Sequence, residues 1–261
     1  MEEKYLRYLS LLFFAFLAEL VDGGLGMGFG VSLTTLLLSS GVGTAIASAS
    51  VHFTEIATTL FSGVSHFKFG NVDKRIFVTL AISGVIGGSI GAFFAVKLQD
   101  ITIIRPIISS IMLLMGLLII VKYIRKRDIL QQEYATPHKK HLIPLGLFAS
   151  FVDAIGGGGW GPISTPVLVV NNAHPTKAIG SVNFAEFFVT LSISVTFFLT
   201  LPEIRWEIII PMTIGGIITA PVAALITKSL PHKVLGIFVG MLIIFLSLRT
   251  ILKATGIGFP F

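Results

Sequence analysis

Two glycine-rich runs, Asp22-Gly23-Gly24-Leu25-Gly26-Met27-Gly28-Phe29-Gly30 and Asp153-Ala154-Ile155-Gly156-Gly157-Gly158-Gly159-Trp160-Gly161, lie 131 residues apart and interrupt apolar stretches of helical length. In hydrocarbon a helix satisfies its own backbone, so glycines that break it free N–H and C=O groups that protein, water or a ligand must satisfy. A half-helix restarting near Gly28 to Gly30, or near Gly159 to Gly161, presents first-turn N–H groups without intrahelical partners and the positive end of the helix dipole. This is anion-binding chemistry built from backbone, with Gly26, Gly28, Gly30, Gly157, Gly159 and Gly161 as the expected cradle. Close helix packing through small residues is the competing use of the same glycines.

Side chains around the breaks add to this chemistry. Asp22 and Asp153 stand just before the glycines, where a carboxylate can cap a restarting half-helix or, alternatively, exchange protons or coordinate a cation. Glu55 and Glu186 follow on later helices, with His52 and Asn183 one turn earlier on roughly the same face. A glutamate there must pair, protonate or face water, and freed backbone N–H groups of a break are one structural partner. His52 can exchange protons near neutral pH and Asn183 cannot, so the two copies are chemically unequal. Thr34, Thr165, Ser50 and Ser181 can offer neutral donors to a cavity or bond back to their own helices. Phe29, Phe53, Trp160 and Phe184 can wall such a cavity or pack elsewhere in the core. No His/Glu grouping has zinc-ligand spacing, and Gly26-x-Gly28-x-Gly30 lacks the strand-to-helix context of a nucleotide loop. Neither a metal nor a cofactor is expected, and no nucleophile and base pair suggests an enzyme.

The elements that must position these residues are membrane helices. With 54% hydrophobic and 12% charged residues in a chain of 261, apolar stretches recur along nearly its whole length. A bilayer core takes about 20 apolar residues per helix, which leaves room for roughly eight to ten crossings and no sizeable soluble domain. The formal charge of +6 is not a nucleic-acid signature, because Lys122, Arg125, Lys126, Arg127, Lys139 and Lys140 cluster at helix ends, as positive-inside sorting requires. Cysteine is absent, which excludes disulfides and thiol chemistry. The first apolar run leads into Asp22 and glycines instead of a small-residue cleavage site and reads as a retained helix.

The pattern predicts spans at Tyr5 to Val21, Phe29 to Ser39, Ala45 to Phe67, Lys74 to Val96 and Thr102 to Tyr123. A second set follows at His141 to Val152, Trp160 to Val170, Thr176 to Thr200, Trp206 to Thr227 and Lys233 to Leu252. The offset of 131 pairs Asp22 with Asp153, Gly26 with Gly157, Gly28 with Gly159, Gly30 with Gly161 and Thr34 with Thr165. It also lays Ser50-Val51-His52-Phe53-Thr54-Glu55 on Ser181-Val182-Asn183-Phe184-Ala185-Glu186. Shared hydrophobicity does not explain matched Asp, Glu and Gly. The reading is an all-α polytopic membrane protein of two internal repeats, residues 1–123 and 141–261, joined by a basic polar loop at 124–140. A single straight helix over Tyr5 to Ser39 would be about 50 Å long, too much for one crossing, so two helices meeting at the glycines are expected. Five segments per half then invert the second repeat. If each broken region crosses only once, the repeats are parallel, and the count of Lys and Arg by side is more biased for that arrangement. Stretches such as Gly84-Val85-Ile86-Gly87-Gly88 suit packing within a subunit or between two copies in a homodimer.

At these residues the chain resembles the TauE/SafE sulfite exporter family, also called the toluene sulfonate uptake permease family. The resemblance rests on Ala18 to Gly28, Ala47 to Glu55, Asp153 to Pro162 and Ala178 to Glu186, and it covers essentially the whole chain. Ile155 stands where the first copy has a glycine, and His52 is matched by Asn183, so the halves need not contribute equally. The resemblance implies multi-pass residence in a bacterial-type inner (plasma) membrane and transport of small sulfur-containing anions such as sulfite, sulfonates and sulfoacetate. An exported negative charge gains about 2.3 kcal/mol per 100 mV, so export can run without a coupling ion. Uptake needs a coupled proton or cation, for which Glu55, Glu186 and His52 are the candidates, and a permease whose four carboxylates coordinate a cation is the alternative.

Overall fold

A computed structural model gives the fold and describes residues 2–99, 104–124, 136–171 and 173–226, with positions 237, 241, 243–245, 247–248 and 251–252. Most of the connecting loop at 124–140 and of the span at Lys233 to Leu252 lies outside the described residues.

Nine continuous helices account for nearly all of what is described: α1 (Glu2–Leu25), α2 (Phe29–Ser39), α3 (Thr44–Lys68), α4 (Lys74–Leu98), α5 (Ile104–Ile124), α6 (Lys139–Gly156), α7 (Trp160–Val170), α8 (Pro175–Thr200) and α9 (Trp206–Ile226). Among the described residues there is no strand. The broken regions are therefore each two helices. α1 and α6 each run four residues past the ends read from sequence, carrying Asp22 and Asp153 inside the helix instead of at a loop. They stop where the backbone turns left-handed, at Gly26 (φ 66°) and Gly157 (φ 69°), a conformation open to glycine without a Cβ penalty. Each of these glycines donates to the carbonyl four residues back, Gly26 N to Asp22 O and Gly157 N to Asp153 O, both at 2.6 Å. Gly28 adds a second left-handed turn at φ 125° in the first break only.

Packing crosses the two halves of the chain. α4 lies chiefly on α6 and α8, α1 lies chiefly on α9, and α3 runs between α8 and α9. Glycines permit the close approaches: a Cβ on Gly91 would meet Phe151 O at 2.6 Å, and one on Gly88 would meet Ile193 Cγ1 at 2.7 Å. The small residues of α4 thus pack within the chain, against α6 and α8. Two apolar cores result, one built mainly from α1, α2 and α9 and the other from α4, α6, α7 and α8. Both include residues of α3.

The distribution of polarity is that of a membrane protein. Val78, Ile82, Ile86, Ile90 and Phe93 of α4 point outward, as do Ile210, Ile214 and Ile218 of α9. The interior instead holds a polar ladder on α3, Ser48, His52, Glu55, Thr59, Ser62 and His66, all buried. Their alternating spacing of four and three keeps them on one face. α4 and the stretch Thr176–Thr200 are long and apolar enough to cross a bilayer by composition alone. α3 has the same length as α4, 25 residues, but spends apolar character on that ladder.

Candidate functional site

The two glycine breaks pack on one another in the interior. A Cβ on Gly158 would fall against Val31 N and the Gly30 carbonyl carbon, and one on Gly161 would lie 2.6 Å from Gly26 O. Thr34 Oγ1 donates to Gly157 O. Thr165 Oγ1 donates to Gly26 O at 3.0 Å. The same contact is thus made twice, each threonine closing on the carbonyl that ends the helix before the other break. Those carbonyls lack helical partners, and the threonine hydroxyls satisfy them.

The positive ends of the half-helices are already partly occupied. Asp22 Oδ1 accepts from Phe29 N at 3.2 Å. Asp153 Oδ1 accepts from Gly159 N at 2.7 Å and Trp160 N at 3.1 Å. These carboxylates reach across the break from the last turn of the preceding helix, and the N-cap residue of α2 itself is Gly28. The first intrahelical bonds are Ser32 N to Gly28 O and Ile163 N to Gly159 O. Pro162 has no N–H, so only Gly161 N remains in the first turn of α7. In α2, Gly30 N and Val31 N both remain without a partner among the described residues.

Asp153 has a further partner. His52 Nε2 lies 3.0 Å from Asp153 Oδ2, and His52 Nδ1 lies 2.8 Å from Ser48 O. Both ring nitrogens of His52 therefore face oxygen atoms, one of the Asp153 carboxylate and one of the Ser48 carbonyl. Ser48 Oγ, which donates to Ala154 O at 2.6 Å, fixes α3 against the same break. Glu55 sits one turn beyond His52. A Cβ on Gly30 would lie 2.9 Å from Glu55 Oε1, so glycine at that position leaves room for the carboxylate. Glu55 Oε2 is buried without a hydrogen-bond partner. Glu186 and Glu19 complete a group of five buried carboxylates with Asp22, Glu55 and Asp153, the other four all within electrostatic reach of Glu186.

Not every residue singled out from sequence joins this group. Ser50 Oγ donates to Ile46 O of its own helix at 2.7 Å. Ser181 is spent at the turn between α3 and α4, where its Oγ accepts from Asp73 N at 2.8 Å and donates to Asp73 O at 3.2 Å. Asn183 is fully buried, and neither amide atom has a partner. Trp160 fills the core at the start of α7 and donates Nε1–H to Val182 O at 3.1 Å. Sequence reasoning missed Ser48 and gave Glu19 no role. The signal for Glu19 was available, since an acid one turn before Asp22 inside an apolar span is expensive unless it faces the same interior. Among the described residues no group of three or more His, Cys, Asp or Glu is arranged to hold a metal ion.

An apolar exterior, an interior polar ladder and paired helix breaks whose free backbone groups face protein define a helical membrane protein of the transporter class. The family model described as sulfite exporter TauE/SafE matches residues 11–250, and the chain belongs to that family. It is 40% identical over 251 residues to the probable membrane transporter protein YtnM of Bacillus subtilis (strain 168), an alignment covering 94% of this chain and 83% of that protein. No solved structure matches the chain significantly.

Proposed function

We propose that this membrane transporter carries a small sulfur-containing anion, sulfite or an organosulfonate such as sulfoacetate, across the inner membrane without chemical conversion, and that export is its direction. The observation that carries this reading is the meeting of the two glycine breaks, where Gly30 N and Val31 N of α2 and Gly161 N of α7 stand without partners among the described residues, inside a family of sulfite exporters. Backbone N–H groups at a helix start suit the oxygens of a sulfite or sulfonate head group. Thr34 and Thr165 hold the two breaks in register from opposite sides.

Residues 1–123 and 141–261 are, in this proposal, two repeats related by a pseudo-two-fold axis. The exchanged packing of α1 on α9 and of α6 on α4 supports it, because an offset of 131 converts one pair into the other. Alternating access would then move two exchanged units, α1, α2, α3 and α9 against α4, α6, α7 and α8, with the α3–α8 contact as the seam. The sequence repeats themselves would not be the rigid bodies.

One observation favours a second reading, coupling to protons. Five buried carboxylates with a single histidine among them make a poor resting place for a further negative charge unless protons accompany it. The test is solid-supported-membrane current from purified protein in liposomes, challenged with sulfite, sulfoacetate, taurine, sulfate and chloride at two pH values. A saturable current for sulfur anions, lost when Gly28 and Gly159 are replaced by bulky residues, is the expected result. Currents for protons or monovalent cations alone would overturn the anion reading.

A further inference from the structure

Glu55 lies against the first turn of α2 without accepting any of its backbone N–H groups, whereas the neighbouring aspartates are engaged. Asp22 is engaged with Phe29 N, and Asp153 with Gly159 N, Trp160 N and His52. Glu55 Oε1 lies over the bare Cα of Gly30, while Oε2 is buried with no partner. Beside it, Gly30 N and Val31 N have no acceptor among the described residues. A helix start with unused donors and a buried carboxylate with an unused acceptor therefore lie at the same glycine, where Gly157 O and the Cα of Gly158 also close on Gly30. Neither completes its hydrogen bonds with the other.

We infer that the Glu55 carboxylate is a built-in competitor for the anion position at the start of α2, and that a substrate anion binds there only as Glu55 takes up one proton. This rests on the reading of the protein as an anion carrier and adds the residue through which pH controls that site. The proton balance is simple: one anion and one proton enter the site, and the carboxylate becomes a carboxylic acid able to donate to an anion oxygen. A further negative charge beside these buried acids is disfavoured unless a proton accompanies it. Glu55 is faced by Glu19 and Asp22 of α1, by Asp153 of α6 with its partner His52 on α3, and by Glu186 of α8. α2 has no titratable side chain, and the one acid of α9, Glu207, is exposed in its first turn. Among the described residues His52 is the one basic side chain in contact with any of these acids, and its contact is with Asp153. A monovalent sulfonate bound together with one proton leaves the net charge of the site unchanged.

The experiment is calorimetric titration of the purified full chain with methanesulfonate, whose own charge is constant, from pH 6 to pH 9 in buffers of different ionisation enthalpy. For wild type the affinity should fall about tenfold per pH unit once Glu55 is ionised in the empty protein, with about one proton taken from buffer per anion bound. Glu55→Gln should bind with no pH dependence and no proton uptake, at least tenfold tighter than wild type at the alkaline end. Wild-type binding without proton uptake would overturn the inference while leaving anion transport intact. So would Glu55→Gln binding that keeps the wild-type pH dependence, or that is weaker than wild type at every pH. If Glu55→Gln does not fold, the wild-type proton count alone decides. Absence of methanesulfonate, sulfite and sulfoacetate binding to wild type at any pH would overturn the anion-carrier reading itself.

Discussion

His52 Nε2 sits 3.0 Å from Asp153 Oδ2, so a side chain of α3 is tied to the carboxylate that holds the start of α7, 101 residues away in the chain. Both groups are buried, at 0% and 3% side-chain exposure. The pair joins the polar ladder of the third helix to the second glycine break. At the matching position of the other half, Asn183 makes no such bond.

Removing one partner leaves the other buried without its complement, and such losses cost about 3–5 kcal/mol. His52→Ala should therefore lower the thermal midpoint of the purified protein sharply. Asp153→Asn should do the same, and the double variant should be less destabilised than the two losses added together. A cycle measured by thermal unfolding in detergent checks this. A coupling below roughly 0.5 kcal/mol would mean the two residues act independently.

The two capping aspartates should not be equivalent. Asp22 accepts one backbone N–H, whereas Asp153 accepts two and also faces His52. Loss of a helix cap costs about 0.5–2 kcal/mol, and Asp22→Ala should stay in that range. Asp153→Ala should exceed it. Equal melting shifts for the two variants would contradict the geometry.

Glycines in this chain differ in what they do, and alanine scanning should separate them. A Cβ on Gly158 would strike the backbone of Gly30 and Val31, which cannot move without pulling the breaks apart. Gly158→Ala should lose the monodisperse peak in size-exclusion chromatography. Gly43 has open space around it and an extended backbone at φ −64°, ψ 151°. Gly43→Ala should leave the melting midpoint nearly unchanged, because the gain of about 0.4–1 kcal/mol through the unfolded chain is offset by alanine's poorer fit at the N-cap of α3.

The chain has no cysteine, which makes paired cysteines a clean probe of the moving bodies. A Cβ on Gly88 would lie 2.7 Å from Ile193 Cγ1, and one on Gly63 would lie 3.2 Å from Phe184 Cβ, near disulfide range. Gly88→Cys with Ile193→Cys ties α4 to α8, within one exchanged unit but across the two halves of the sequence. Gly63→Cys with Phe184→Cys ties α3 to α8 across the seam. Oxidation should spare transport in the first pair and arrest it in the second, reversibly with a reductant. Arrest in both would restore the sequence halves as the moving bodies.

Much of the architecture was legible because its signals are local. Runs of apolar residues of bilayer length and the Gly-rich interruptions announce their own helices, and the ends of α2 and α7 fall where the pattern placed them. The extension of α1 and α6 through their aspartates was not legible. Glycine discourages a helix in isolation, but Gly23 lies where its Cβ would meet Ala223 of α9 at 2.7 Å, and that packing keeps the turn helical. Ser181 misled for the reverse reason. Its place in a matched segment suggested the breaks, yet the turn at Asp73 claims its hydroxyl.

By itself, then, the sequence determined the helical membrane class, the family resemblance and the two glycine-broken regions, because hydrophobicity, spacing and glycine content act within a few turns of chain. Only the tertiary structure decided which groups meet: Thr34 with Gly157, Thr165 with Gly26, His52 with Asp153 and Glu55 with Gly30. Such contacts, three of them across more than a hundred residues, depend on which helix faces pack together. Here the bare glycine faces that admit another backbone, and the buried polar groups that must find partners there, fix that choice.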